Sequence, residues 1–138
     1  MSEITNLKTN PSHIDDRGRI SMVLESAQIG SVSIIDSVPN VERASHMHPR
    51  DNHTILIMEG QIEIYERPSY DHTQKPTKTI LNKGDIHLTE NNIDHTMYFP
   101  CWTSFLCLSK LPRNTENYER ETVRFKTSLR EVYNNWED

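Results

Sequence analysis

Apolar and polar residues alternate with a period of two along most of the chain, in short runs separated by polar breaks. The alternation predicts strands over Arg19–Glu25, Ser31–Ile35, Val41–His48, Thr54–Met58, Gln61–Glu66, Thr77–Leu81, Asp85–Thr89, His95–Phe99 and Thr103–Ser109. Glu59-Gly60 reads as a tight turn inside a hairpin, and Pro68–Pro76, rich in Ser, Asp, Thr and Pro, as a loop. Only the tail carries helical periodicity. Leu129, Val132, Tyr133 and Trp136 fall at i, i+3, i+4 and i+7, behind Ser128 as a candidate N-cap. Many short strands and almost no helix predict an all-β sandwich or barrel, followed by a short helix over about 128–136.

Composition narrows the partners. At 138 residues with 34% apolar content, the chain is one domain with a thin core. The longest apolar runs, Ile55–Met58 and Phe105–Leu108, fall far short of the ~18 residues that cross a bilayer. The first residues lack the basic and apolar regions of a signal peptide, so a cytoplasmic location is expected. A net charge of −5 without a cluster of Lys and Arg excludes an electrostatic footprint for nucleic acid or an anionic membrane. A small molecule is the expected partner. Cys101 and Cys107, six apart on extended chain, stand ~20 Å apart and are read as two unbridged thiols.

The candidate chemistry lies in the histidines. His46 and His48 sit at i and i+2, which on a strand places both imidazoles on one face about 6.6–7 Å apart. On a helix the same pair would diverge by about 200°. Pro49 ends that strand and lets the chain return, so that His53, opening the next, faces the first two. His95 opens a late strand after Asn91–Asp94. His13, His72 and His87 are assigned no site.

These segments resemble the cupin superfamily of small double-stranded β-helix, or jelly-roll, barrels. Its first signature has His-x-His, an acidic residue and a Gly; here His46-x-His48, His53 and Gly60 occupy that spacing, with His53 in place of the acid. Its second runs Gly, Pro, Gly, His; here Gly84, Glu90, Asn92 and His95 stand in those positions. Within cupins the chain is most similar to the epimerases and 3,4-ketoisomerases of sugar nucleotides. The likeness is carried by Asp15-Asp16-Arg17-Gly18, Arg43-Ala44-Ser45-His46-Met47-His48, His95–Phe99, Phe105–Ser109 and Tyr118-Glu119-Arg120. It spans roughly residues 12 to 125, with the barrel expected over about 12–112.

The resemblance implies a site in which His46, His48, His53 and His95 hold one divalent transition metal: Fe, Ni, Zn, Co, Cu or Mn suits an all-imidazole set. It implies a keto-sugar or sugar-nucleotide substrate, with Arg17, Arg43 and Tyr65 as binding residues. Proton transfer beside a ketone requires a base and a group that stabilises the enolate oxygen. His46 or His48 suits the base. If all four histidines are ligands, the role passes to Glu42, expected on the face of His46 by strand parity, or to a pocket tyrosine, Tyr65 or Tyr98. Family ketoisomerases use the His-x-His pair without metal, whereas His53 and His95 here complete a ligand set. Two other classes use the same residues: an Fe(II) dioxygenase or lyase, and a non-enzymatic sugar- or metal-binding module. The Asp-x-Arg-Gly and Arg-x-x-His-x-His likeness favours the isomerase or epimerase. A homodimer is also expected, from the thin core and from an extended segment, Ile4–Lys8, able to exchange between subunits.

Overall fold

The computed structural model describes residues 11–25, 28–114, 116 and 120–137. Ile4–Lys8, the segment expected to exchange between subunits, and Tyr118-Glu119 lie outside the described residues.

The described residues form, in chain order, strands β1 (Pro11–Asp15), β2 (Gly18–Ser21), β3 (Ser31–Ser37), β4 (Val41–Met47), β5 (His53–Glu59), β6 (Gln61–Pro68), β7 (Thr77–Asn82), β8 (Ile86–Thr89), β9 (Ile93–Phe99), β10 (Thr103–Ser109) and β11 (Val123–Arg124), and helix α1 (Leu129–Asn134). From β3 onward the chain alternates between two sheets, except that β6 and β7 form a hairpin within one of them. One has the order β3-β10-β5-β8, the other β11-β4-β9-β6-β7, and β1 pairs only with β2. Every pairing is antiparallel. This is a jelly roll, the all-β double-stranded β-helix expected. Among the described residues no helix is long and apolar enough to cross a membrane.

Nine of the strands match predicted runs. The differences have local causes. The run expected to end at Glu25 stops at Ser21, because its partner is the unforeseen β1, and Asp15-Asp16-Arg17-Gly18 is the turn between them. β11 has two residues, too few to show a period. The hairpin expected at Glu59-Gly60 does not form: Gly60, at φ +87°, turns the chain from β5 in one sheet to β6 in the other, and a Cβ there would lie 2.8 Å from Thr103 Cα, closer still to the Trp102 carbonyl. Asn92 takes φ +62° at the position where the family motif has Gly. α1 begins as predicted: Ser128 Oγ accepts from Glu131 N at 3.1 Å, and Leu129 is buried beneath it.

The apolar core fills one end of the space between the sheets. Ile55 and Ile57 of β5, Ile62 and Ile64 of β6, Leu81, Met97, Phe99, Phe105 and Cys107 form one cluster, with Phe99 and Phe105 stacked at 5.9 Å. Inward positions recur every second residue, so along β9 the inner face reads Phe99, Met97, His95, and along β5 Ile57, Ile55, His53. Oil at one end gives way to imidazole at the other. Both cysteines are free thiols, Cys101 exposed and Cys107 buried.

The outward face of the four-stranded sheet is also apolar. In register across it run Ile34, Leu106, Leu56 and Ile86, and beside them Val32, Leu108, Thr54 and Leu88. Ile34 is 65% exposed, Val32 60% and Leu88 50%.

Candidate functional site

The site is set by an irregularity in β4. Val41, Glu42, Arg43 and Ala44 pair with Phe99, Tyr98, Met97 and Thr96, but the next pair is His46 with His95, so Ser45 is an extra residue. Ala44 (φ +71°) and Ser45 (φ +57°) both take the left-handed backbone. The inserted residue reverses the parity of the strand. Arg43 and His46, three apart, share the inner face, and Glu42 points outward with Tyr98.

Four imidazoles converge beyond the bulge. Ring centroids of His46 lie 4.5 Å from His48 and 4.7 Å from His95, and His48 lies 4.5 Å from His53. All four rings are buried. His48 Nδ1 hydrogen-bonds the Glu121 carbonyl at 2.8 Å and His95 Nδ1 the Ile93 carbonyl at 3.1 Å, which makes Nε2 the basic nitrogen of each ring. Burial first, then the neighbouring histidines and the Arg124 charge, lowers the pKa of His46 to about 2. Burial also lowers His48 and His95 to about 4 each, with the His53 charge adding to the effect on both. These rings are neutral donors.

His53 differs. Its Nε2 meets Asp51 Oδ2 at 3.0 Å, and Asp51 Oδ1 accepts from Leu111 N at 3.0 Å. Burial pulls the imidazole down, but the hydrogen bond with Asp51 and the nearby Cys107 sulfur outweigh it and leave its pKa at about 9. Asp51 is held below the usual carboxylate range: burial raises it, and the bonds from His53 and Leu111 overcome that. The pair is a buried imidazolium–carboxylate.

The ligand atoms group more narrowly than the four-histidine set expected. The ligand atoms of His46, His48 and His95 lie within 4.8 Å of one another; His53 is not in the group, and its Nε2 meets Asp51. Two imidazole nitrogens on one zinc stand about 3.3–4.2 Å apart, so the three rings fit a divalent transition ion after a small inward movement.

A cavity of about 370 Å³ opens over the cluster. His46, His53 and His95 line it, with Ile55, Met97, Phe105 and Cys107 forming an apolar wall and Arg43, Arg113 and Arg124 a cationic one. Arg43 is oriented by Ser37 Oγ at 3.1 Å and the Asp36 carbonyl at 3.0 Å.

Four expected site residues lie elsewhere. Glu42 is not on the face of His46, since the bulge turns it outward, where its carboxylate is 3.8 Å from Arg130. Tyr98 points the same way, its ring 3.7 Å beneath the Arg130 guanidinium and its hydroxyl donating to Asn40. Tyr65 is also on the outer face of the five-stranded sheet. It packs on Tyr133 of α1 and donates to Glu63 at 2.6 Å, and burial pushes its phenol up. Arg17 sits on the β1–β2 turn, exposed and paired with Asp15 at 2.6 Å, and does not line the cavity. Conversely Asp51, Arg113 and Arg124 were missed. Asp51 was legible as Asp-x-His, the same i, i+2 spacing used for His46 and His48; the two arginines carry no sequence signal.

No family model matches the chain, and no curated protein matches it in sequence. Solved structures do share its shape. The TDP-quinovose 3,4-ketoisomerase of Campylobacter jejuni superposes with a TM-score of 0.68 at 21% identity, covering 94% of this chain and 95% of that one. The dTDP-4-dehydrorhamnose 3,5-epimerase of Sulfolobus tokodaii gives 0.66 at 15% identity, over 85% and 74%. The capsular polysaccharide assembling protein CapF of Staphylococcus aureus gives 0.61 at 16% identity; 83% of this chain is covered, but it spans only 34% of that protein. The fold is the cupin jelly roll.

The opposite shifts of the histidines set a pH optimum for stability. His46, His48 and His95 have folded pKa values below the ordinary 6.5, so the stability they contribute is full above pH 6.5 and is lost as pH falls towards 4. For His53, raised to about 9, the contribution is full below pH 6.5 and is lost as pH rises through 9. Melting temperature recorded across this range should peak near neutrality, and His53→Gln should flatten the alkaline limb; a wild-type profile level from pH 5 to 9 would contradict both assignments.

Proposed function

We propose that this protein is a proton-transfer enzyme of the isomerase or epimerase type, acting on a ketone carried by a sugar nucleotide. The observation that carries the reading is one cavity with a neutral imidazole, an imidazolium and three guanidinium groups around an apolar wall. Arg43, Arg113 and Arg124 suit a diphosphate, whose oxygens accept charged, forked hydrogen bonds. The apolar wall of Ile55, Met97 and Phe105 suits a deoxygenated sugar face. His46, its low proton affinity raised by the charge of a bound diphosphate, takes the proton from the carbon beside the carbonyl. His53, held protonated by Asp51, stands to donate to the developing enolate oxygen. Return of the proton from His46 to the neighbouring carbon, or to the other face of the same carbon, completes isomerisation or epimerisation. The names of the similar structures, enzymes of TDP-linked sugars, support this substrate class.

A sugar-nucleotide ketone incubated anaerobically in D2O with the enzyme should gain deuterium beside its carbonyl. Arg43→Ala and Arg124→Ala should each lower kcat/KM by about tenfold or more, chiefly through KM, as loss of a charged contact of 1.5–3 kcal/mol requires. Turnover only with consumption of oxygen would replace this reading by a dioxygenase.

A second reading rests on the close packing of His46, His48 and His95. These three would hold a divalent transition metal, which would supply Lewis acidity to a carbonyl oxygen. His46 is then a ligand, and His53 with Asp51 remains for proton transfer. Elemental analysis of protein purified without a His tag checks this. His46→Ala, His48→Ala or His95→Ala should abolish metal content and His53→Ala should not; a metal-free wild type with full exchange activity would leave the first reading alone.

The apolar rows on the outer face of the four-stranded sheet support a homodimer. They contain no charge, so a twofold copy of the same face is complementary to it. Four strands of this length present on the order of 450 Å² before side-chain relief, more than half of the ~800 Å² each partner gives a standard interface. Light scattering should give twice the 16.1 kDa chain mass. Ile34→Glu should return it to the monomer; a wild-type monomer would dismiss the interface.

A further inference from the structure

Glu66 is a carboxylate inside the barrel for which the proton-transfer reading has no use. On β6 the inner face reads Ile62, Ile64, Glu66, and Glu66 stands directly opposite His95 of β9. On β8 the inner positions are His87 and Thr89, opposite Ile55 and His53 of β5. The two rows meet across the gap between the sheets. His87 Nε2 donates to Glu66 Oε1 at 2.8 Å, and Thr89 Oγ1 donates to Glu66 Oε2 at 3.1 Å. Thr89 is buried, and the side chains of Glu66 and His87 are 15% and 19% exposed, so water competes little for these bonds. Each end of the tie is thus one strand away from a histidine of the cluster.

The histidines themselves are divided between the two walls. His53 belongs to the four-stranded sheet, His46 and His95 to the five-stranded one, and His48 follows directly after β4. On the side of β7 and β8 the sheets are not paired, since each of these is an edge strand. Apolar contact alone is non-directional, whereas two hydrogen bonds to one carboxylate have fixed lengths. We infer that Glu66 is a positioning residue: held by His87 and Thr89, it fixes the distance between the wall that carries His53 and the wall that carries His46, His48 and His95. Its consequence for rate rests on the proton-transfer reading, in which His46 removes a proton and His53 donates one; the spacing itself does not.

Ring-to-ring proton NOEs report both spacings in one NMR spectrum. The His46–His95 pair, 4.7 Å between centroids, lies within one sheet, and the His48–His53 pair, at 4.5 Å, spans the two. In Glu66→Ala the cross-sheet NOE should be lost and the same-sheet NOE kept. Glu66→Gln, which accepts from Thr89 and donates to His87, should restore the lost signal. In the anaerobic D2O reaction with a TDP-linked 4-keto sugar, Glu66→Ala should lower kcat roughly a hundredfold, the scale of a misplacement of about 1 Å. KM should not change, and Glu66→Gln should be close to wild type. A carboxylate that serves stability alone would lower the melting temperature and leave the cross-sheet NOE of the folded protein as it is; that result overturns the proposal. So does equal loss of both NOEs, or a Glu66→Gln protein that behaves as Glu66→Ala. A wild type that takes up no deuterium dismisses the proton-transfer reading, and the NOEs then decide the spacing alone. Should Glu66→Ala not fold, Thr89→Val replaces it, with loss of the cross-sheet NOE expected and its persistence overturning the assignment.

Discussion

Two left-handed residues in β4, Ala44 and Ser45, decide which side chains face the cavity. Such backbone costs roughly 1–2 kcal/mol for each residue with a Cβ, and glycine occupies neither position. The conformation is held by its neighbours. Ser45 Oγ pairs with Thr96 Oγ1 at 3.0 Å, Thr96 Oγ1 accepts from Leu129 N at 3.0 Å, and the Ser45 carbonyl accepts from Phe125 N at 3.1 Å. At about 1 kcal/mol each, these bonds offset the strain. The bulge is thus fastened from the outside, by the segment that forms β11 and the start of α1. The same segment supplies the Glu121 carbonyl to His48 and places Arg124 opposite His46.

The bulge also marks where a one-dimensional reading stops. Alternation located the strands because burial on one face is a local property of the sequence. Histidine spacing located the site because i and i+2 are geometric neighbours on any strand. Parity along β4 failed between Glu42 and His46, since nothing in Arg-Ala-Ser-His marks an inserted residue: the usual sign, a Gly, is absent. Tyr65 and Tyr98 failed for a related reason. An aromatic on a β-strand reads as core whichever face it takes, and here a helix covers the second face and buries Tyr65 as deeply as the true core. Arg113 and Arg124 come from a loop and a two-residue strand, where no period exists to read.

His53 shows how much a neighbour adds to what identity says. At the position where the cupin motif has an acid, an imidazole reads as one more metal ligand. Asp51, two residues earlier, bonds that imidazole and raises its affinity for a proton. The cluster is consequently divided. Three rings are neutral because burial and mutual repulsion forbid their charge, and one is cationic because a fixed carboxylate demands it. Groups that exchange protons in one cavity are most useful when their affinities differ, and here a single aspartate separates them.

The fastening of β4 from residues 121–129 has a consequence in time. A nascent chain that has emerged as far as Ser109 already contains every strand of the four-stranded sheet and all four histidines. It lacks Phe125 and Leu129, whose amides secure the bulge and its partner Thr96. The barrel can close during synthesis while the register of its histidine strand is still unsettled. The site is complete only when the chain behind it arrives to fix one residue's place.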